Sequence, residues 1–94
     1  MRNTLAVLLL AGLAATAQAG VEDKYNASCT FCHGTGAAGA PKAHDKAAWE
    51  PRLKQGMDTL VKHVTEGFNA MPPKGMCNDC TADDYRALIE YMSK

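Results

Sequence analysis

The chain has 94 residues, with 10 Lys or Arg balanced by 10 Asp or Glu, 47% apolar residues and only 6% aromatic ones. That length allows one small domain. Charge neutrality removes the basic surplus that nucleic-acid binders carry, so nucleic acid is not an expected partner.

Residues 1–19 read MRNTLAVLLLAGLAATAQA. Arg2 supplies a positive start, Leu5 to Ala17 a short apolar stretch, and Ala17-Gln18-Ala19 a small-x-small site, the pattern of a cleaved secretory signal peptide. The apolar stretch is shorter than the roughly 20 residues a spanning helix needs, so stable membrane insertion is not expected. The expected mature domain is 20–94, exported to the periplasm.

The first element of that domain, about Val21 to Cys32, reads as a helix ending on Cys29-Thr30-Phe31-Cys32-His33. This C-x-x-C-H pattern is the attachment signature of a c-type haem. Helical positions i, i+3 and i+4 share one face. Cys29 and Cys32 can therefore form thioethers with two porphyrin vinyl groups while His33 turns its imidazole to the iron. One covalently attached haem c also supplies apolar surface that a chain this small lacks. Other uses of the four cysteines fit less well. A zinc site would have to bridge the 44 residues between Cys32 and Cys77, well beyond the usual ~15–20. Neither zinc nor a disulfide-only staple gives His33 a role.

Gly34, Gly36, Gly39 and Pro41 then break the periodicity, giving a loop able to pass close to a porphyrin edge. A short helix is expected over about Lys46 to Gln55, capped by Asp45 and kinked or split by Pro51. Its Trp49 either shapes a haem propionate site or is plain packing. Arg52 either pairs with a propionate through its planar fork or is solvated. A third helix, about Met57 to Glu66, stops at Gly67. It carries the stripe Met57, Leu60, Val61 and Val64. His63 falls to one side of that stripe and is expected in solvent, as is His44 in its polar loop.

Methionine is the sulfur ligand of electron-transfer cytochromes. Met57 belongs to the stripe just described, and Met92 closes another with Tyr85, Leu88 and Ile89, so both read as core. Met71 and Met76 lie on no stripe. They sit in Phe68-Asn69-Ala70-Met71-Pro72-Pro73-Lys74-Gly75-Met76-Cys77, where two prolines stiffen the segment and Pro72 disfavours the α conformation at Met71. A weakly bound thioether benefits from such a pre-organised loop. Met71 is the expected sixth iron ligand, with Met76 as the alternative. Filling both axial positions leaves no place for a substrate on the iron, which argues against an oxygenase or peroxidase.

Cys77 and Cys80 can close a small ring just before Thr81, in a compartment that favours disulfides. They read either as a structural staple holding the Met71 loop to the last helix or as a redox-active dithiol. The lack of a βαβ pattern favours the staple. The last helix opens with Thr81-Ala82-Asp83-Asp84, a capping-box-like start, and runs to about Ser93. Tyr25 is expected to pack across it on Leu88 and Tyr91. No segment alternates as a strand, so the expected fold is all-α, about four helices around one haem.

Together these residues resemble the cytochrome c5 family of class I c-type cytochromes. The resemblance covers nearly all of the mature chain. It rests on Tyr25 and the motif through His33, the Gly34-to-Pro41 loop, Ala48-Trp49-Glu50-Pro51-Arg52, Ala70-Met71-Pro72-Pro73-Lys74-Gly75, and Cys77 with Cys80. It implies the class I cytochrome c fold, attachment at Cys29 and Cys32, axial ligation by His33 and Met71, and a Cys77–Cys80 disulfide. It also implies that the Pro41 carbonyl accepts from the other ring nitrogen of His33, in keeping with the general need of a ligating imidazole for a fixed acceptor. A methionine at position 76 is not part of the family pattern.

The expected function is a one-electron shuttle, not an enzyme. It would work between redox partner proteins such as membrane reductases, oxidases or other soluble cytochromes, as a monomer or weak dimer. Docking is expected to be transient, at a small patch around an exposed haem edge; Lys42 and Lys74 flank the loops there and either form part of that patch or serve only solubility. The alternative is a haem enzyme or gas sensor whose methionine ligand is displaced.

Overall fold

The computed structural model describes residues 20–94, so the expected signal segment, 1–19, lies outside the described residues. Helix α1 covers residues 20–33, but it is not α-helical throughout, as its sequence suggests. Tyr25–Cys29 forms a π turn, with the Thr30 N–H bonded to the Tyr25 carbonyl, before a last α turn over Thr30–His33. Ser28 gives the physical reason. Its buried hydroxyl donates to the Lys24 carbonyl at 3.0 Å, competing with the backbone for that acceptor and widening the turn. Such single-turn expansions concentrate at functional sites. Here it runs into the C-x-x-C-H motif and includes its first cysteine, Cys29.

Helix α2 (Lys46–Leu53) starts where the Asp45 side chain accepts from the Ala48 N–H at 3.2 Å. Pro51 does not split it; the helix stops two residues later, short of the expected Gln55. Proline offers no N–H to the preceding turn, and the chain then tightens, with the Lys54 and Gln55 N–H groups reaching Glu50 and Arg52 carbonyls. Helix α3 (Met57–Glu66) is bounded by Gly56 and Gly67, both at positive φ. Helix α4 (Ala82–Ser93) carries a complete capping box. The Asp84 N–H donates to the Thr81 hydroxyl at 3.2 Å, and the Thr81 N–H donates to the Asp84 carboxylate at 2.8 Å.

Both expected stripes face inward. Tyr85, Leu88, Ile89 and Met92 of α4 are buried, as is Leu60 of α3, with Met57, Val61 and Val64 packed at the margin. Tyr25 of α1 joins this core and meets Tyr91, the two rings tilted with centroids 5.2 Å apart. Among the described residues there is no strand, only an isolated bridge between Phe68 and Met71. The fold is all-α, and α4 is the post on which the other elements lean.

Candidate haem-binding site

Cys29, Cys32 and His33 at the end of α1 line a cavity of about 130 Å³, which adjoins a second of about 380 Å³. The two share His33, Pro41, Arg52, Phe68 and Met71 as walls. Both thiols are free and half-buried. Burial pushes the Cys29 thiol up, only partly offset by the neighbouring Ser28 hydroxyl and its own backbone.

His33 is buried, and its Nδ1–H donates to the Pro41 carbonyl at 2.8 Å. A carbonyl only accepts, so this contact fixes the proton on Nδ1 and leaves Nε2 as an aprotic donor for a metal. The acceptor loop is itself held in place. Trp49 Nε1–H donates to the Lys42 carbonyl at 3.0 Å, and the Ala43 N–H donates to the His33 carbonyl at 2.7 Å. Trp49 also stacks on the His33 ring at 5.6 Å. Its position thus serves packing and the imidazole together. Arg52 reaches both cavities while donating to the Ala48 carbonyl at 2.7 Å.

Met71 lies in the loop after α3. Its backbone N–H and carbonyl exchange hydrogen bonds with Phe68 at 2.9 and 3.0 Å. Pro72 is extended, and Lys74, Gly75 and Met76 then all take positive φ. Gly75 leaves room for the Met71 side chain: a Cβ added to it would lie 2.9 Å from the Met71 methyl carbon. Met76 lines the same cavity but is 52% exposed, whereas Met71 is half-buried and touches both cavities. A disulfide joins Cys77 to Cys80, Cα atoms 5.4 Å apart. Tyr85 on α4 donates its buried phenol to the Cys77 carbonyl at 3.1 Å. Burial, then the charges of Asp84 and Asp79, push that phenol up, so it remains a donor. The ring is a staple between the Met71 loop and α4.

No role for Phe68 is legible in the sequence, which places His63 in solvent. His63 is half-buried rather than in solvent, stacked on Phe68 with ring centroids 4.1 Å apart and planes within 15°. The available signal was an aromatic residue just past a helix-ending glycine, a position that commonly packs back on the last turn. His44 is exposed, with its ring edge-on to Tyr91.

Two free thiols, a buried imidazole with one aprotic nitrogen, and a thioether cradled by Gly75 surround a cleft whose one permanently charged lining residue is Arg52. This donor set fits a thioether-linked haem. A family model described as cytochrome C oxidase, cbb3-type, subunit III matches residues 16–92. Cytochrome c5 of Azotobacter vinelandii is 51% identical over 67 residues, covering 69% of this chain and 81% of that protein. Cytochrome c-555 of Chlorobaculum tepidum is 50% identical over 72 residues, covering 72% of this chain and 67% of that protein. A mono-haem ferrocytochrome c from Shewanella putrefaciens superposes with a TM-score of 0.71 at 62% identity, covering 79% of this chain and 91% of that one. A cytochrome c in an electron-transfer complex with nitrite reductase gives 0.70 at 43% identity, covering 77% and 88%.

Fold and donor set together define a class I c-type cytochrome with one covalently attached haem c. Among the described residues, no helix is long and apolar enough to cross a membrane. The chain belongs to the cytochrome c5 family.

Proposed function

We propose that this protein is a periplasmic one-electron carrier, exported by a cleaved signal peptide, whose haem is attached at Cys29 and Cys32 and ligated by His33 and Met71. The observation that carries this is the presence of His33 and Met71 together in the walls of both cavities, each already oriented by backbone contacts. A haem held by these residues would supply one-electron, ferrous–ferric chemistry. The chain's own residues keep that cycle quiet. The Pro41 carbonyl holds the His33 proton at Nδ1, and the Phe68–Met71 bridge with Gly75 holds the thioether in one place. Fixed ligands reduce reorganisation between oxidation states, and the apolar walls exclude water and raise the potential. Arg52 is the residue placed to meet a haem carboxylate, with Trp49 orienting the loop beneath His33.

Redox partners of this chain are taken to be membrane reductases, oxidases or other soluble cytochromes, docking transiently through a small interface. His33 and Met71 would together hold the iron and leave no position on it for a substrate, which supports a carrier over an enzyme.

Optical spectra of the purified ferric protein test this directly. A near-infrared sulfur-to-iron charge-transfer band at neutral pH is expected, lost in Met71→Ala together with ready carbon monoxide binding by the reduced form. Loss of the band in Met76→Ala instead would reassign the ligand. A high-spin native ferric haem would favour an enzyme or gas sensor. The intact mass of the exported protein tests cleavage after Ala19.

A further inference from the structure

We propose that His63 is a positioning residue for the Met71 thioether. Both backbone hydrogen bonds of Met71 go to Phe68. Phe68 follows Gly67 at φ 91°, and although the residue is 48% exposed, one face of its ring is covered. The surface that receives the ring is the His63 imidazole, nearly parallel at 4.1 Å. His63 also accepts the Gly67 N–H at its carbonyl, 2.9 Å away. It therefore fixes the start of the turn through its backbone and the end through its side chain. His63, Phe68 and Met71 line the same larger cavity. Removing the imidazole leaves Phe68 without its stacking partner and lets the two-bond bridge to Met71 open more often. Because a thioether is a weak ligand, a modest rise in that opening is readable as easier displacement by an added ligand.

This role rests on Met71 being the sixth ligand, and the experiment separates the two claims. Imidazole is titrated into the ferric holoprotein and its affinity read from the optical spectrum. His63→Ala should bind imidazole roughly three- to tenfold more tightly than the parent, the scale of one lost aromatic stack. His63→Phe, which keeps a flat ring at the position, should return the affinity to within about twofold of the parent. Phe68→Ala, which removes the other ring of the stack, should reproduce the His63→Ala effect. Unchanged affinity in His63→Ala or in Phe68→Ala, or a His63→Phe variant no better than His63→Ala, overturns the proposal. Absence of the sulfur-to-iron band from the parent protein, seen before any imidazole is added, would instead remove the Met71 ligation on which it rests.

Discussion

The two sides of the haem cleft are built by opposite means. On the His33 side a helix delivers three motif residues at fixed helical spacing. The loop opposite the imidazole is tied at consecutive positions, Pro41, Lys42 and Ala43, by hydrogen bonds of 2.8, 3.0 and 2.7 Å. On the Met71 side the only helical piece among the described residues is a short, irregular 3-10 turn, Pro73–Met76. A loop with Asn69, Lys74 and Met76 at positive φ is held by one reciprocal backbone pair, a glycine that makes room, and a disulfide. Regular structure gives the first side its rigidity, and constraint of an irregular loop gives the second side whatever it has. The Met71 side is therefore where ligand loss should begin, and perturbations of equal chemical size should be felt more there.

The largest expected effect breaks the His33 side outright. Replacing both thiols, Cys29→Ser with Cys32→Ser, should abolish covalent haem, leaving no haem-stained band on a denaturing gel. The remaining chain should be largely unfolded by circular dichroism, since so small a core needs its cofactor. A covalently haem-stained double variant would contradict the thioether assignment. On the Met71 side, opening the staple with Cys77→Ser and Cys80→Ser removes a closed loop of sequence separation 3. Loop-closure entropy alone predicts a loss of about 2 kcal/mol, read as a lower midpoint in denaturant. The sulfur-to-iron band should weaken before the haem-linked helices unfold. Simultaneous loss of both signals would show that the two sides are not energetically distinct.

A smaller effect comes from one methyl group. Gly75→Ala puts a Cβ 2.9 Å from the Met71 methyl carbon at a backbone φ of 56°. The left-handed conformation costs a non-glycine residue about 1–2 kcal/mol, and the contact adds to it. The near-infrared band should weaken while the Soret and visible bands of the attached haem persist. Gly36→Ala is the matching probe, because its φ of 81° is similarly left-handed and its nearest contact is an ordinary 3.7 Å. It should lower stability without touching the band.

The asymmetry also explains what could be read from the chain alone. Cys29, Cys32 and His33 were legible because their chemistry depends on local helical spacing, and the α3 and α4 stripes because burial follows the same period. The π turn was not, since it depends on Ser28 being buried where its hydroxyl must find the Lys24 carbonyl. Pro51 and the early end of α2 were half legible: the missing N–H is certain, its effect on the helix depends on neighbouring bonds. On the loop side, proline stiffness identified Met71 and Met76 as candidates but carried no information about exposure, which separates them. The His63–Phe68 stack was hidden because the direction taken after Gly67 sets it, and a positive φ at glycine leaves that direction open.

Asp84 is the joint between the two sides, and it offers the smallest and most discriminating test. Its carboxylate accepts the Thr81 N–H at 2.8 Å, directly after the Cys80 half of the staple, and faces Lys24 of α1 at 4.0 Å. The Thr81 N–H, ahead of the Thr81 hydroxyl and Lys24, holds the Asp84 carboxyl below the usual carboxylate range. A depressed folded-state pKa means the contribution to stability is fully present above the ordinary value of about 3.9 and is lost as pH falls through the folded value. The Tm gap between the parent and Asp84→Ala should therefore be constant from neutral pH down to about pH 5 and close progressively below about pH 4. Lys24→Ala should change Tm little at any pH, since a partly exposed pair at that separation contributes little. If Lys24→Ala instead matched Asp84→Ala, the link to α1 rather than the cap beside the staple would be the stabilising contact, and the Met71 side would be held from the His33 side.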